Sequence, residues 1–244
     1  SGGRWYTSSD PAGPLNFEKP RGTSEFGNFT GQEVDFVDPI WNPLSANREQ
    51  VFINGQPKWQ VGSLAEVAAD TFFVDYDAHR IYVGENPTAK TVEVTAHEFA
   101  MKLWFIDDPD RTSVRGLNFL GYGAVGLWIG GISARVEDGV FAWNGVNGMY
   151  ISSGSPDSIV TNNLFTSNGN GGARIQSADR AQVINNIMRY NGIERPNSAW
   201  DSAGTKITRL SDALVKGNLI EYNYGTGIWY DSSTFRTMTV DNVV

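Results

Sequence analysis

Five side chains, at matching places in five similar stretches of the sequence, carry most of its chemical potential: Trp128, Tyr150, Arg174, Lys206 and Trp229. Each stands two residues after a glycine (Gly126, Gly148, Gly172, Gly204, Gly227) and between apolar or small neighbours. Strand alternation turns the neighbours inward and these five outward. Three aromatics bracketing two adjacent cations can stack on the C–H face of a sugar and hold a carboxylate or sulfate. The same residue types also suit a structural cover, in which long cationic stems and rings shield one another. A second outward column reads Gly130, Ser152, Gln176, Thr208 and Asp231. The fourth stretch is lengthened by an insertion, Ile193–Ala203, expected to bring Glu194, Arg195, Trp200 and Asp201 to the edge of this strip.

Three chemistries compete for these residues. Glycoside hydrolysis needs two carboxyl groups across the scissile bond, and Asp231 with Asp201 or Glu194 supplies candidates. A polysaccharide lyase needs a base together with positive charge to neutralise a uronate, which Arg174 and Lys206 provide by type and adjacency. The third is binding without catalysis, with Trp128, Tyr150, Trp200 and Trp229 as the contact surface.

What must position these groups is a repeat. Copies start at Val114, Val136, Val160, Val183 and Val215, at steps of 22, 24, 23 and 32 residues, and a sixth opens at Val240. A period in the low twenties with two short apolar stretches per copy, separated by Asn-Gly turns, predicts a solenoid of strands. Aligned copies place Phe119, Phe141, Phe165, Met188 and Ile220 in one inward column. Leu127, Met149, Ala173, Thr205 and Ile228 form another, and Ile129, Ile151, Ile175, Ile207 and Tyr230 a third. Tyr122, Asn144, Asn168, Asn191 and Asn223 align at a turn, where stacked amides hydrogen-bond from coil to coil.

The N-N-x-F column at 162–165, the N-G turns and the G-I-W-Y-D segment ending at Asp231 resemble the right-handed parallel β-helix repeats of extracellular polysaccharide-acting proteins. Pectate lyases, polygalacturonases and some xylosidases share that superfamily. The resemblance runs from about Thr91 to the C-terminus. It implies an all-β, right-handed parallel β-helix, secreted or cell-surface, with a polysaccharide or oligosaccharide as partner and no cofactor. Because G-I-W-Y-D is similar to segments of carbohydrate-active members, it puts hydrolase first, with Asp231 as its carboxylate. The fold also hosts lyases, epimerases and adhesins, so reaction class does not follow from it.

Composition agrees with this. A net charge of −8 with scattered acids makes nucleic acid and anionic membranes poor partners. No cysteine is present, which excludes disulfides and thiol-based metal sites, and two histidines are too few for a histidine-rich one. Pectate-lyase-like calcium binding would need several outward Asp on neighbouring rungs, and these columns supply Asp231 alone. No apolar run reaches membrane-span length and no charged-then-apolar leader opens the sequence. The sequence stops inside a coil, from which further coils are expected.

Residues 1–90 read as an irregular, hairpin-containing cap, and 91–244 as coils. Hairpins are expected at Val51–Ile53 with Lys58–Val61 across Asn54-Gly55, and at Thr71–Val74 with Arg80–Val83. One helical turn is expected in Ser63–Ala69, a first rung at Val92–Val94 and its second strand at Leu103–Ile106. Asp75, Asp77 and His79 are read as turn formers rather than ligands, as are Asp157 and Asp179. His97-Glu98 is read as a solvated corner, Glu221 as solvated, and Arg115 with Glu137 as a cross-strand ion pair.

Overall fold

In the computed structural model each sequence repeat becomes a coil of three strands rather than two. Described are residues 4–8, 44, 45, 47, 49–103, 112–152, 154–199 and 201–244. The first apolar stretch breaks in two because one residue adopts a left-handed backbone: Gly116, Asp138, Asn162, Asn185, Gly217 and Asp241, with φ between 54 and 66°. Gly, Asn and Asp tolerate that region best, and they fill the whole column.

The strands stack into three parallel sheets. The sheet bearing the strip runs through Phe99–Leu103, Val125–Ile129, Asn147–Ile151, Gly171–Gln176, Ala203–Thr208 and Thr226–Asp231. The second contains Ser113–Arg115, Arg135–Glu137, Ile159–Thr161, Gln182–Ile184, Leu214–Lys216 and Met238–Val240. The third contains Asn118–Leu120, Val140–Ala142, Leu164–Thr166, Ile187–Arg189 and Leu219–Glu221. Between them lies one apolar core in which Leu127, Ile129, Phe141, Met149, Ile151, Phe165, Ile175 and Met188 are fully buried. Phe119, Phe141 and Phe165 stack one rung apart, with centroids at 4.9 and 4.8 Å. At about 1.5–3 kcal/mol for each large apolar side chain buried, this column is a main source of stability. Thr205 is the polar member of its column, and its hydroxyl donates to the Ala173 carbonyl at 3.1 Å. Tyr230 stands in register with Ile207 in the expected column and, on the outermost rung of its sheet, is 37 % exposed.

Two asparagine ladders run along the corners. Asn144 donates through Nδ2 to Asn168 Oδ1 (2.9 Å), Asn168 to Asn191 (2.8 Å) and Asn191 to Asn223 (2.8 Å). A second ladder links Asn163, Asn186, Asn218 and Asn242 at 2.8–3.0 Å. Each amide also donates to a backbone carbonyl of the preceding coil, so the buried turns are satisfied.

The N-terminal sheet is ordered Trp5–Ser8, Arg80–Val83, Thr71–Asp75, Gln56–Gln60, Val51–Ile53, Val92–Val94. Both expected hairpins are present, the first turning through Asn54 and Gly55 at φ 52 and 72°. A 3₁₀ turn occupies Leu64–Glu66. Asp75 accepts the Ala78 N–H at 2.9 Å and His79 has φ 52°, a turn geometry. Val92–Val94 is not a rung: it pairs antiparallel with Val51–Ile53, and Phe99–Leu103 takes the first place in the strip sheet. Of the expected Leu103–Ile106 strand only Leu103 lies within the described residues, and residues 9–43 of the expected cap lie outside them. The sheet docks on the coils through Phe52, edge-on to Trp143 at 5.7 Å.

Candidate functional site

Backbone register puts the five expected side chains in one line. Trp128 pairs with Tyr150, Tyr150 with Arg174, Arg174 with Lys206 and Lys206 with Trp229. Lys102 extends the line by one rung. The line is mostly covered, however: Trp128, Tyr150 and Lys206 are 4–6 % exposed. Its groups pack on one another. Lys102 lies over Trp128 (4.9 Å), Trp128 packs on Tyr150 (5.2 Å), Arg174 covers Tyr150 (5.5 Å) and Lys206 covers Trp229 (4.2 Å). Such cation–π contacts are strongest when desolvated, as that of Lys206 is, whereas Lys102 is exposed.

Asp201, from the insertion, closes this cluster. One carboxylate oxygen accepts from Lys206 Nζ at 2.8 Å, and the other from Arg174 at 2.9 Å and Asn170 Nδ2 at 3.2 Å. Lys206 also reaches Asp231 at 3.0 Å. The oxygens of Asp201 and Asp231 that share Lys206 are therefore at most 5.8 Å apart. Asp231 accepts from the Ser232 N–H at 2.7 Å, and this bond, with Lys206, holds its carboxyl below the usual range. Burial pushes the Tyr150 phenol up, and it donates to Gln176 Oε1 at 3.0 Å. The cations that a lyase would offer a uronate are thus already paired with Asp201.

Glu194 and Arg195 are not at this strip, contrary to expectation, and Trp200 lies outside the described residues. The insertion opens at Gly192 (φ 83°), where a Cβ would come within 2.7 Å of Tyr224 Cβ, and turns back over the corner. Ile193 and Glu194 donate their N–H groups to Asn168 and Gly169 carbonyls at 3.2 and 3.1 Å. This fixes Glu194 toward the N-terminal sheet, while Asp201 reaches the strip from the other end of the loop. Arg115 and Glu137 are register partners, but the guanidinium turns to Asp138 (2.8 Å) and Glu137 takes Arg135 (2.6 Å). Asp157 and Asp179 sit at turns as expected; Asp157 additionally pairs with Arg180.

Glu194 lines a cleft of about 80 Å³ with Glu49, Gln50, Phe52, Lys58, Trp59 and Trp143 among its walls. That space holds several waters or one small polar group. Burial, with the charge of Glu49 adding to it, raises the Glu194 carboxyl to about 8, so it is protonated at neutral pH. Glu49 Oε2 accepts from the Tyr76 hydroxyl at 2.7 Å, and burial keeps that phenol well above its ordinary range, a neutral donor. The Gln50 side chain is 6 % exposed, yet neither amide atom has a hydrogen-bond partner. Buried amides are rarely left so, and this one lines the cleft. A protonated acid, an acidic neighbour, an amide short of partners and two indoles thus line one cleft. Such an arrangement can protonate a leaving oxygen and orient hydroxyl groups.

Trp59 and Ile193 also border an adjoining groove of about 700 Å³, lined by Tyr190, Arg195, Tyr222 and Tyr224. Tyr190 and Tyr222 stack at 5.4 Å with planes 7° apart, 49 and 72 % exposed. Glu49 and Tyr76 fall outside the repeats, where no pattern marks them. The tyrosines do carry a sequence signal: Gly121, Trp143, Ser167, Tyr190 and Tyr222 form the column directly before the Asn column, and all have positive φ, which throws the side chain outward. Among the described residues no group of three His, Asp or Glu is arranged to hold a metal ion.

Comparison with known proteins agrees with this architecture. A family model described as the right-handed beta helix region matches residues 105–244. The chain belongs to the right-handed β-helix family. Among solved β-helix structures it is similar to one described as "The complex structure of XylC with xylose", at 12 % identity and a TM-score of 0.66. That likeness covers 100 % of this chain and 50 % of the other, so this β-helix spans about half of that protein's length. No curated protein matches the chain.

Proposed function

We propose that this β-helix protein is a secreted polysaccharide-acting enzyme, a glycoside hydrolase whose working groups are Glu194 and Glu49 in the cleft beneath the N-terminal sheet. The observation that carries the proposal is the pairing of a carboxyl raised to about 8 with a second carboxyl hydrogen-bonded by Tyr76. Glu194 supplies its proton to the glycosidic oxygen as the bond from that oxygen to the anomeric carbon breaks. Glu49 faces the positive charge that develops on that carbon. Water then provides the new hydroxyl and its proton ends on Glu49. The Gln50 amide has both a donor and an acceptor available for sugar hydroxyls. Trp59, half-exposed at the cleft mouth, offers a face for a pyranose. The similar β-helix, XylC, is in complex with xylose, which is consistent with a carbohydrate ligand here.

The rival arrangement uses Asp231 with Asp201, whose Lys206-bridged oxygens are close enough for a retaining pair. Two charge-assisted bonds on Asp201, and the depressed pKa of Asp231, leave that pair without a proton donor. A panel of polysaccharides scored for reducing ends and for unsaturated uronate tests the proposal. Reducing ends without unsaturation are expected. Glu194→Gln and Glu49→Gln should each lower turnover by about 10²–10⁴-fold, the usual worth of an acid or base. Unsaturated products, or full activity in both variants, would overturn it.

A further inference from the structure

The groove outside the cleft has features the cleft does not explain. Trp59 and Ile193 line both, so the two adjoin. At about 700 Å³ the groove is within the range of ligand sites and far larger than the cleft needs for one sugar edge. Its far wall is a ladder: Tyr190 and Tyr222 occupy equivalent corner positions of successive coils, and their rings stack along the axis of the solenoid. Tyr222 at 72 %, Tyr190 at 49 % and Trp59 at 49 % are among the largest exposed apolar surfaces described. The rings of the strip, Trp128 and Tyr150, are packed away, whereas these three are open, as Phe235 is singly on another corner. Tyrosine presents both an apolar face and a phenol, a combination that suits the alternating C–H and hydroxyl surface of a sugar chain.

We infer that this groove binds the continuation of a neutral polysaccharide, whose chain runs from the cleft along the Tyr190–Tyr222 ladder. The inference rests on the reading of the cleft as the site of cleavage, and it makes the substrate a polymer rather than a free disaccharide. Neutrality follows from charge. The cleft end carries Glu49, and the protein as a whole bears a net charge of −8, which repels polyanions. Arg195 at the groove and Arg189, whose guanidinium lies 5.9 Å from the Tyr190 ring, can donate to sugar hydroxyls without requiring a negative charge.

Affinity electrophoresis and calorimetry with xylan, a soluble cellulose derivative and polygalacturonate test this, using the intact chain carrying Glu194→Gln so that no substrate is consumed. Retardation by a neutral polymer is expected, with affinity reduced about tenfold or more when Tyr222→Ala or Tyr190→Ala is added, a change of about 1.4 kcal/mol per tenfold. Phe235→Ala, an equally exposed ring on another corner, is the control and should bind as the parent does. Circular dichroism establishes that each variant is folded, and Tyr222→Asn, which removes the ring and tolerates the left-handed backbone there, serves if Tyr222→Ala is not. Unchanged binding in both tyrosine variants, preference for polygalacturonate, or self-association that these variants abolish would overturn the inference. Loss of polymer binding in the tyrosine variants alongside full hydrolysis in Glu194→Gln would instead keep the groove and remove the catalytic reading.

Discussion

Asp201→Ala removes one carboxylate from between two buried cations, and its cost can be worked from the geometry. The carboxylate is 6 % exposed, Lys206 7 % and Arg174 19 %, at bond lengths of 2.8 and 2.9 Å. Lys206 keeps Asp231 at 3.0 Å, but that carboxylate is 37 % exposed and screened by water. Arg174 is left with a long contact to Gln176 at 3.5 Å and the Tyr150 face. Breaking a buried ion pair by deleting one partner costs about 3–5 kcal/mol. For a chain of this size that lowers Tm by roughly 6–20 °C, at about 2–4 °C per kcal/mol. Asp212→Asn, which breaks the exposed pair with Arg236 and still tolerates the left-handed backbone there, is the comparison and should be nearly silent. Replacing the whole triad at once with apolar side chains (Arg174→Met, Asp201→Leu and Lys206→Met together) should restore most of the loss, because no charge within the triad is then stranded. Differential scanning calorimetry and urea titration read both quantities. A Tm for Asp201→Ala no lower than that of Asp212→Asn would refute the view that the strip is a self-neutralised structural element.

Asn168→Leu should be severe, since Asn168 both accepts from Asn144 and donates to Asn191, and each buried group left without its partner costs about 1–3 kcal/mol; the urea midpoint checks this. pH should act through Glu194, whose carboxyl is raised from 4.5 to about 8. Between those values the folded chain binds more protons than the unfolded one, so this contribution to stability is complete below about 4.5 and lost as pH rises through about 8. Urea midpoints across that window should fall with pH in the parent and flatten in Glu194→Gln; an unchanged slope would contradict the protonated state assigned to Glu194.

The solenoid is legible in the sequence because a period writes the same requirement several times: Phe141 over Phe119 and Asn168 over Asn144 are visible as columns before any coordinates exist. The strip is legible for the same reason, since alternation after an aligned glycine fixes which side chains share a face. Its burial is not, because nothing in a repeat states what lies outside it. The third strand of each coil is hidden inside one apolar stretch, marked only by a Gly, Asn or Asp that turns the backbone. Val92–Val94 passes for a rung since an alternating triplet looks alike in a coil and in a hairpin sheet. The insertion is evident from the spacing, but its two ends part company: Gly192 sends Glu194 to the N-terminal sheet, and Asp201 returns to Lys206. The partners of Glu194 come from a segment with no period, so the cleft emerges only in three dimensions.

The proposed hydrolysis is assigned to the cleft and not to the strip. Initial rates of reducing-end release by Glu194→Gln and Asp231→Asn, measured side by side with the parent on one polysaccharide at neutral pH, test that assignment most directly. A cleft-borne reaction predicts a loss of about 10²–10⁴-fold in Glu194→Gln and a rate near that of the parent in Asp231→Asn. The opposite pattern, with Asp231→Asn inactive and Glu194→Gln unaffected, would contradict it.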